Sequence, residues 1–302
     1  MEELRILSPL GMLGYGFPEQ SFEEGLRRKP HAIVADAGST DAGPHKLGAG
    51  VGIVSRIAAK QDLEKMLLAG RSLGIPVLVG SAGGSGARKH VDWTLDIVRE
   101  IIAEHRLDAR LGVMYTDIEK PWLKRKMAEG KVTALTGVPE LTSMDVDETT
   151  RIVAQIGHEP YIEMLRAGAD VIIGGRTYDP VMTASIGIYH GFDTGLSSHM
   201  GKILECGAQC CIPGSAKDCM LGHLYRDSFV LEPMNPIRVC TPVSVAAHTM
   251  YEKSHTYRLP GPGGMLDLEH CTFNAENERM VRVAGSRFIP DVVYRVKLEG
   301  AK

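Results

Sequence analysis

The sequence lacks several features that would assign its class at once. No stretch approaches 18 consecutive apolar residues, so no segment reads as a membrane-spanning helix. The start, Met1-Glu2-Glu3, is acidic where a secretory leader is basic, and no apolar core follows it. Neither charge is in excess. Thirty-four basic against 37 acidic residues leave −3, which gives no electrostatic reason to bind nucleic acid or an anionic membrane. Cysteine is missing from the first two thirds. All six (Cys206, Cys210, Cys211, Cys219, Cys240 and Cys271) lie in the last third. A chain this long with so few cysteines is no disulfide scaffold, and the paired C-x2-C spacing of a zinc site is absent. The expectation is of reduced thiols acting as small buried hydrophobes, in a cytoplasmic protein.

What is present is ordinary for a soluble globular chain: 302 residues, 44% hydrophobic and 24% charged. That length allows two modest domains or one large α/β unit, with a core that needs no staple. Over residues 1–195 two periods alternate. Short apolar or β-branched runs predict strands at 4–7, 32–35, 77–79, 111–115, 132–135 and 171–173. Amphipathic stretches predict helices at 19–28, 58–73, 87–105, 120–129, 147–156, 160–167 and 181–190. This alternation predicts an α/β fold, a largely parallel sheet flanked by helices. From residue 196 to 302 prolines recur and apolar runs shorten. One helix is predicted at 243–253, and antiparallel strands at 271–274, 280–284 and 292–298. Residues 196–302 are therefore read as a smaller β-rich α+β region, after a parallel-sheet domain over 1–195. The last strand-like run ends close to Lys302, as in a chain cut from something longer.

In open parallel sheets, ligands bind beyond the carboxyl ends of the strands. Those exits are the richest segments here. They read Asp36-Ala-Gly-Ser39-Thr40-Asp41-Ala-Gly-Pro44, Gly80-Ser81-Ala-Gly83-Gly84-Ser85-Gly86, Thr116-Asp117 and Gly174-Gly-Arg176-Thr-Tyr-Asp179-Pro180. The amino ends read only Pro30-His31, Ile75-Pro76 and Ala109-Arg110.

The loop from Gly80 to Gly86 opens a helix, so its backbone N–H groups could cradle a phosphate or carboxylate. It could equally be a turn that needs glycine for packing. It is neither a dinucleotide fingerprint nor a P-loop: Lys89 stands where G-x-G-x-x-G wants its last glycine, and Gly-Lys-Ser/Thr is absent. Gly83-x-Ser85-x-Ala87 is a loose nucleophile elbow, which keeps a serine hydrolase as an alternative. Asp36 and Asp41 could hold a divalent cation or divide acid and base roles. The same string resembles the phosphate loop of sugar kinases, without that fold's second motif, and it also suits a capping turn. Arg176 could clamp an anionic group in bidentate fashion, or pair with Asp179 and order its loop. His248, Tyr251 and Glu252 fall at i, i+3 and i+4 on one helical face, as acid–base machinery or as packing.

Taken together, these strings resemble the acyclic terpene utilisation (AtuA-like) family, a domain-of-unknown-function family. The residues that carry the resemblance are Asp36–Pro44, Gly80–Gly84, Ala167-Gly-Ala-Asp-Val-Ile-Ile-Gly-Gly-Arg176-x2-Asp179, His248-x2-Tyr251-Glu252 and Val296-Lys-Leu-Glu-Gly-Ala301. The resemblance implies a place in bacterial catabolism of citronellol- and geraniol-like terpenes, which runs through branched acyl-CoA thioesters. It also implies a chain that continues past the last motif.

The expected function is therefore an enzyme acting on a small carboxylic acid or branched acyl-CoA. The expected chemistry is acid–base work α to a carbonyl, as in an isomerase, hydratase or lyase. The expected catalytic groups are Asp36, Asp41, Asp117 and His248. The expected substrate-binding groups are Ser39, Thr40, Ser81, Gly83, Gly84, Ser85, Arg176, Asp179, Tyr251 and Glu252. A divalent cation, if used, would sit on Asp36 and Asp41; no NAD is expected. A homo-oligomer or a small partner subunit is anticipated, and the rival reading is a non-catalytic acyl-ligand-binding subunit.

Overall fold

The computed structural model describes residues 1–38, 43–251 and 255–302. The chain runs β1 (Leu4–Ser8), α1 (Glu19–Arg27), β2 (Ala32–Asp36), α2 (Gly43–Ala49), α3 (Arg56–Leu73), β3 (Val77–Gly80), α4 (Arg88–His105) and β4 (Leu111–Met114). It continues through α5 (Lys120–Ala128), α6 (Ser143–Glu148), β5 (Arg151–Gln155), α7 (Glu159–Arg166), β6 (Val171–Gly174), α8 (Val181–Tyr189) and α9 (Thr194–Leu204). Then follow β7 (Met220–Leu224), β8 (Ser228–Pro233), α10 (Pro242–Thr249), β9 (Arg258–Gly261), β10 (Gly264–Asp267), β11 (Thr272–Ala275), β12 (Val281–Ala284), β13 (Arg287–Pro290) and β14 (Lys297–Ala301).

A mixed sheet of order β11-β12-β8-β7-β1-β2-β3-β6-β4 forms the centre. From β1 to β4 its neighbours are parallel; β7, β8, β12 and β11 extend it antiparallel. The expected α/β class holds. The central strands read as continuous apolar runs because both faces are covered. Ala32, Val34, Leu78 and Ile172 pack under α7, α8 and α9, while Ile33, Ala35, Val77, Val79 and Ile173 pack under α1, α3 and α4. The 195/196 division falls inside α9, and β7 and β8 join the same sheet as β1. Two smaller sheets, β13-β10-β9 and β14-β5, complete the fold.

Local signals set the helix ends where expected. Ser55 caps α3 by accepting the Ala58 N–H, and Gly74 ends it with φ 65°. Three expectations fail. The run 132–135 is no strand; it lies on the surface without a pairing partner. The helix expected over 147–156 is instead the end of α6 followed by β5. Thr149 turns its hydroxyl back onto the Asp145 carbonyl, and the β-branched run that follows pairs with β14. The strand expected over 292–298 is displaced to 297–301, preceded by β13 at 287–290. α9 escapes sequence reading because it is buried all round. It carries Ser197, Ser198, His199 and Lys202 among its apolar residues, so it has no single apolar stripe. No described helix is long and apolar enough to cross a membrane.

Candidate active site

Strand parity begins the site. Asp36 follows Ala32 and Val34 at steps of two, so it points to the face covered by α8 and α9. It is the last residue of β2 and only 3% exposed. One carboxylate oxygen accepts the Gly38 N–H at 2.9 Å. Burial is the main force pushing its carboxyl well above the ordinary range; the charges of Asp179 and Glu205 add to this, and Arg176 opposes it.

Across from it, α9 delivers Lys202. Its ammonium donates to Asp179 Oδ2 at 3.0 Å and Glu205 Oε1 at 2.6 Å. Burial alone would lower the Lys202 ammonium, but Glu205 and Asp179 hold it above its usual value. Glu205 is raised from 4.5 to about 7, chiefly by burial; Lys202 pulls it down and Asp179 pushes it up. Sequence reading missed both residues. Their i, i+3 spacing is visible in sequence, but a segment buried all round has no apolar stripe to mark it as a helix.

Arg176 closes the other side, 3% exposed. Its Nε and Nη2 donate to the two carboxylate oxygens of Glu299 on β14, at 2.9 and 3.2 Å. Its Nη1 donates to Ser81 Oγ at 3.0 Å. The alternative in which Arg176 pairs with Asp179 is corrected: Asp179 pairs with Lys202, and the fork grips Glu299. Burial alone would raise the Glu299 carboxyl, but the Arg176 charge and hydrogen bonds keep it below its ordinary value. Glu299 stands only as part of a motif; nothing local marks it, because β14 is placed by pairing with β5, far off in sequence.

In the glycine-rich loop four N–H groups are already taken by backbone carbonyls. The N–H of Ser81 is bound by the Gly175 carbonyl, that of Ala82 by Gly174, that of Gly84 by Ser81 and that of Gly86 by Ala82. Its glycines serve close packing. A Cβ on Gly86 (φ +67°) would lie 2.1 Å from the Arg176 nitrogen, and one on Gly84 2.3 Å from Ile53. Ser81 sits at φ 48° and is fully buried. Its hydroxyl donates to the Thr177 carbonyl at 3.2 Å and accepts from Arg176 and the Thr177 N–H. Those partners tie the β3 and β6 exits together and provide no base for a nucleophile. Ser85 is partly exposed.

Asp117 is corrected too. It is exposed, and both its oxygens accept the Arg88 N–H at 3.1 and 2.9 Å, capping α4. The anion at that helix N-terminus is thus a side chain of the protein. β2 and β4 are separated by β3 and β6, three strand spacings or about 14 Å. Asp117 therefore does not share the Asp36 site. His248 and Tyr251, at the end of α10 and just beyond it, stack on each other with ring centroids 5.9 Å apart. Ser39, Thr40, Asp41 and Glu252 lie outside the described residues, and with Asp41 so does the expected cation site.

Two further features mark the cluster. Asp36, Asp179, Glu205 and Glu299 are four carboxyls against three cations, Arg176, Lys202 and Lys297, the last 2.9 Å from Glu299. Tyr178, next to Asp179 in sequence and within the electrostatic reach of Lys202 and Glu205, buries a hydroxyl that makes no hydrogen bond. It lines a cavity of about 20 Å³ with Gly157, His158 and Gly261, which is room for a water or one small polar group.

A model of the family described as "Acyclic terpene utilisation family protein AtuA" matches residues 58–218, just over half of the chain. That span contains Ser81, Arg176, Asp179, Lys202 and Glu205; Asp36 and Glu299 lie outside it. No curated protein and no solved structure matches.

Proposed function

The chain belongs to the acyclic terpene utilisation family, and on that footing we propose that it is an enzyme moving a proton at the carbon α to a carbonyl. The substrate class is a branched acyl-CoA thioester or the corresponding small carboxylic acid. One observation carries the reading: two buried carboxyls, Asp36 and Glu205, with pKa values raised beside two fixed cations. Glu205, titrating at about 7, can take or give a proton at neutral pH. Asp36, its carboxyl pushed up by burial, donates from its protonated form a hydrogen bond to the oxygen on which enolate charge develops. Lys202 holds Asp179 and Glu205 in place and offsets the charge that forms. Arg176 acts as the fixed cation at the cluster's other side; a substrate carboxylate enters its fork only by displacing Glu299.

The test is α-proton exchange in D₂O with saturated and α,β-unsaturated branched acyl-CoA thioesters, followed by mass spectrometry. Glu205→Gln and Asp36→Asn should each slow exchange by about 10²–10⁴-fold, the usual contribution of a general acid or base, while thioester binding persists. Glu299→Gln should tighten binding of the free acids. Binding of thioesters without exchange in the native protein would instead support the ligand-binding subunit. That second reading is favoured by one contact, the Arg176 fork already filled by the chain's own carboxylate.

A further inference from the structure

Four sulfur atoms meet outside the charged cluster. Cys210 and Cys211 lie in the loop after α9, Cys240 just before α10, and Met220 opens β7. Cys240 Sγ is 3.6 Å from Cys211 Sγ and 4.0 Å from Cys210 Sγ, and Cys211 Sγ is 3.4 Å from Met220 Sδ. The three thiol sulfurs all lie within 4.8 Å of one another, and all three residues are buried. The spacing along the chain hides this, because Cys240 comes from 29 residues beyond Cys211. Backbone pairing of Ile212 with Val239 in both directions, at 2.8 and 3.0 Å, brings the two segments together. The Cys240 N–H is itself fixed by the Arg279 carbonyl at 3.0 Å.

We propose that Cys210, Cys211, Cys240 and Met220 form a binding site for one thiophilic d¹⁰ metal ion, of the Cu(I) class. Tetrahedral sulfurs about 2.3 Å from one ion lie ~3.8 Å from each other. Three of the six sulfur–sulfur separations, 3.4, 3.6 and 4.0 Å, bracket that value, and Cys210 and Cys211 lie within 4.8 Å of each other. The donor set selects among ions. Thiolates with a thioether favour a soft ion such as Cu(I). No imidazole or carboxylate joins the three cysteines in the described cluster. The site is also held by its surroundings, so little reordering is needed to close it on an ion. Each thiol that binds the metal releases its proton to solvent, and no electron is transferred.

The full-length, fully reduced protein can be titrated anaerobically with Cu(I) in the presence of a chromogenic chelator. It should withdraw one equivalent and develop ultraviolet thiolate-to-metal absorption. Cys240→Ser should weaken binding by more than the roughly 10–100-fold that loss of an outer partner costs. Met220→Leu, which keeps the volume, should weaken it less and guards against misfolding of the serine variant. Cys271→Ser, outside the cluster, should bind as the native chain does. The proposal is overturned by less than one tenth of an equivalent bound, by unchanged affinity in Cys240→Ser, by uptake of Zn²⁺ in preference to Cu(I), or by a disulfide among the three cysteines in the protein as isolated.

Discussion

At the amino ends of β3, β6 and β4, Asp170 meets Arg71 and Arg110 at a half-open surface. The Arg110 N–H and the two guanidinium charges hold its carboxyl below the ordinary range, against the effect of burial. A cleft of about 350 Å³ opens there, lined by His31, Pro76, Arg110, Asp170, Tyr189 and His190. At the carboxyl ends the described cavity is far smaller, yet Asp36 and Glu205 are buried beside the Lys202–Asp179 and Arg176–Glu299 pairs. The larger opening therefore lies at the end with balanced, wet charge. The carboxyls that burial pushes upward, Asp36 and Glu205, lie at the end where the topology of a parallel sheet gathers ligand-binding loops. The contrast teaches that opening size is a poor guide here. A protein gains nothing structural from burying carboxyls with raised pKa values, so such a cluster points to chemistry.

The contrast breaks most sharply at Lys202. Lys202→Met leaves Asp179 and Glu205 buried without their cation. Stability should fall by about 3–5 kcal/mol, the range for removing one partner of a buried pair, with a larger loss at pH 8 than at pH 5. Urea unfolding at both values checks this. A loss under ~1 kcal/mol, the scale of an exposed pair, would make the cluster no different from Asp170 and its arginines.

A smaller effect concerns pH alone. The folded Glu205 pKa of about 7 lies above its ordinary 4.5. Between those values the folded state keeps a proton that the unfolded chain has released. Stability from this group is therefore full below about pH 4.5 and is lost as pH rises through about 7. Asp36 acts in the same direction. Melting curves of the native chain should show this decline, and Glu205→Gln should show a shallower one. Equal slopes would place the Glu205 carboxyl in water. The Arg71–Asp170 pair runs the other way: it contributes less as pH falls.

The least effect is expected at Asp117. Asp117→Ala removes the cap of α4 and should cost about 0.5–2 kcal/mol, with α-proton exchange unchanged. A loss of exchange in a folded variant would return Asp117 to the active site.

Much of this was legible before any coordinates. The continuous apolar runs of β2, β3 and β6 and the stripe of α3 reveal their own periods. Asp36, Ser81 and Arg176 stand out because glycine-rich polar exits follow apolar strands. Other parts were hidden for stateable reasons. β5 looked helical because its pairing partner, β14, begins 142 residues after the end of β5. The glycines of the Gly80–Gly86 loop looked like an anion cradle because sequence cannot show which N–H groups a neighbouring strand exit already occupies.

The sequence by itself determined the fold class and marked the strand exits where Asp36, Ser81 and Arg176 lie. Each follows from periodicity and from the residues directly after a strand, which are local properties of a chain. Only the tertiary structure decided which charges meet. Lys202 and Glu205 reach Asp179 because α9 lies beneath the sheet, and Glu299 reaches Arg176 because β14 pairs with β5. Charge pairing depends on distance through space, and residues 123 apart carry no mark in sequence of being 2.9 Å apart in the fold.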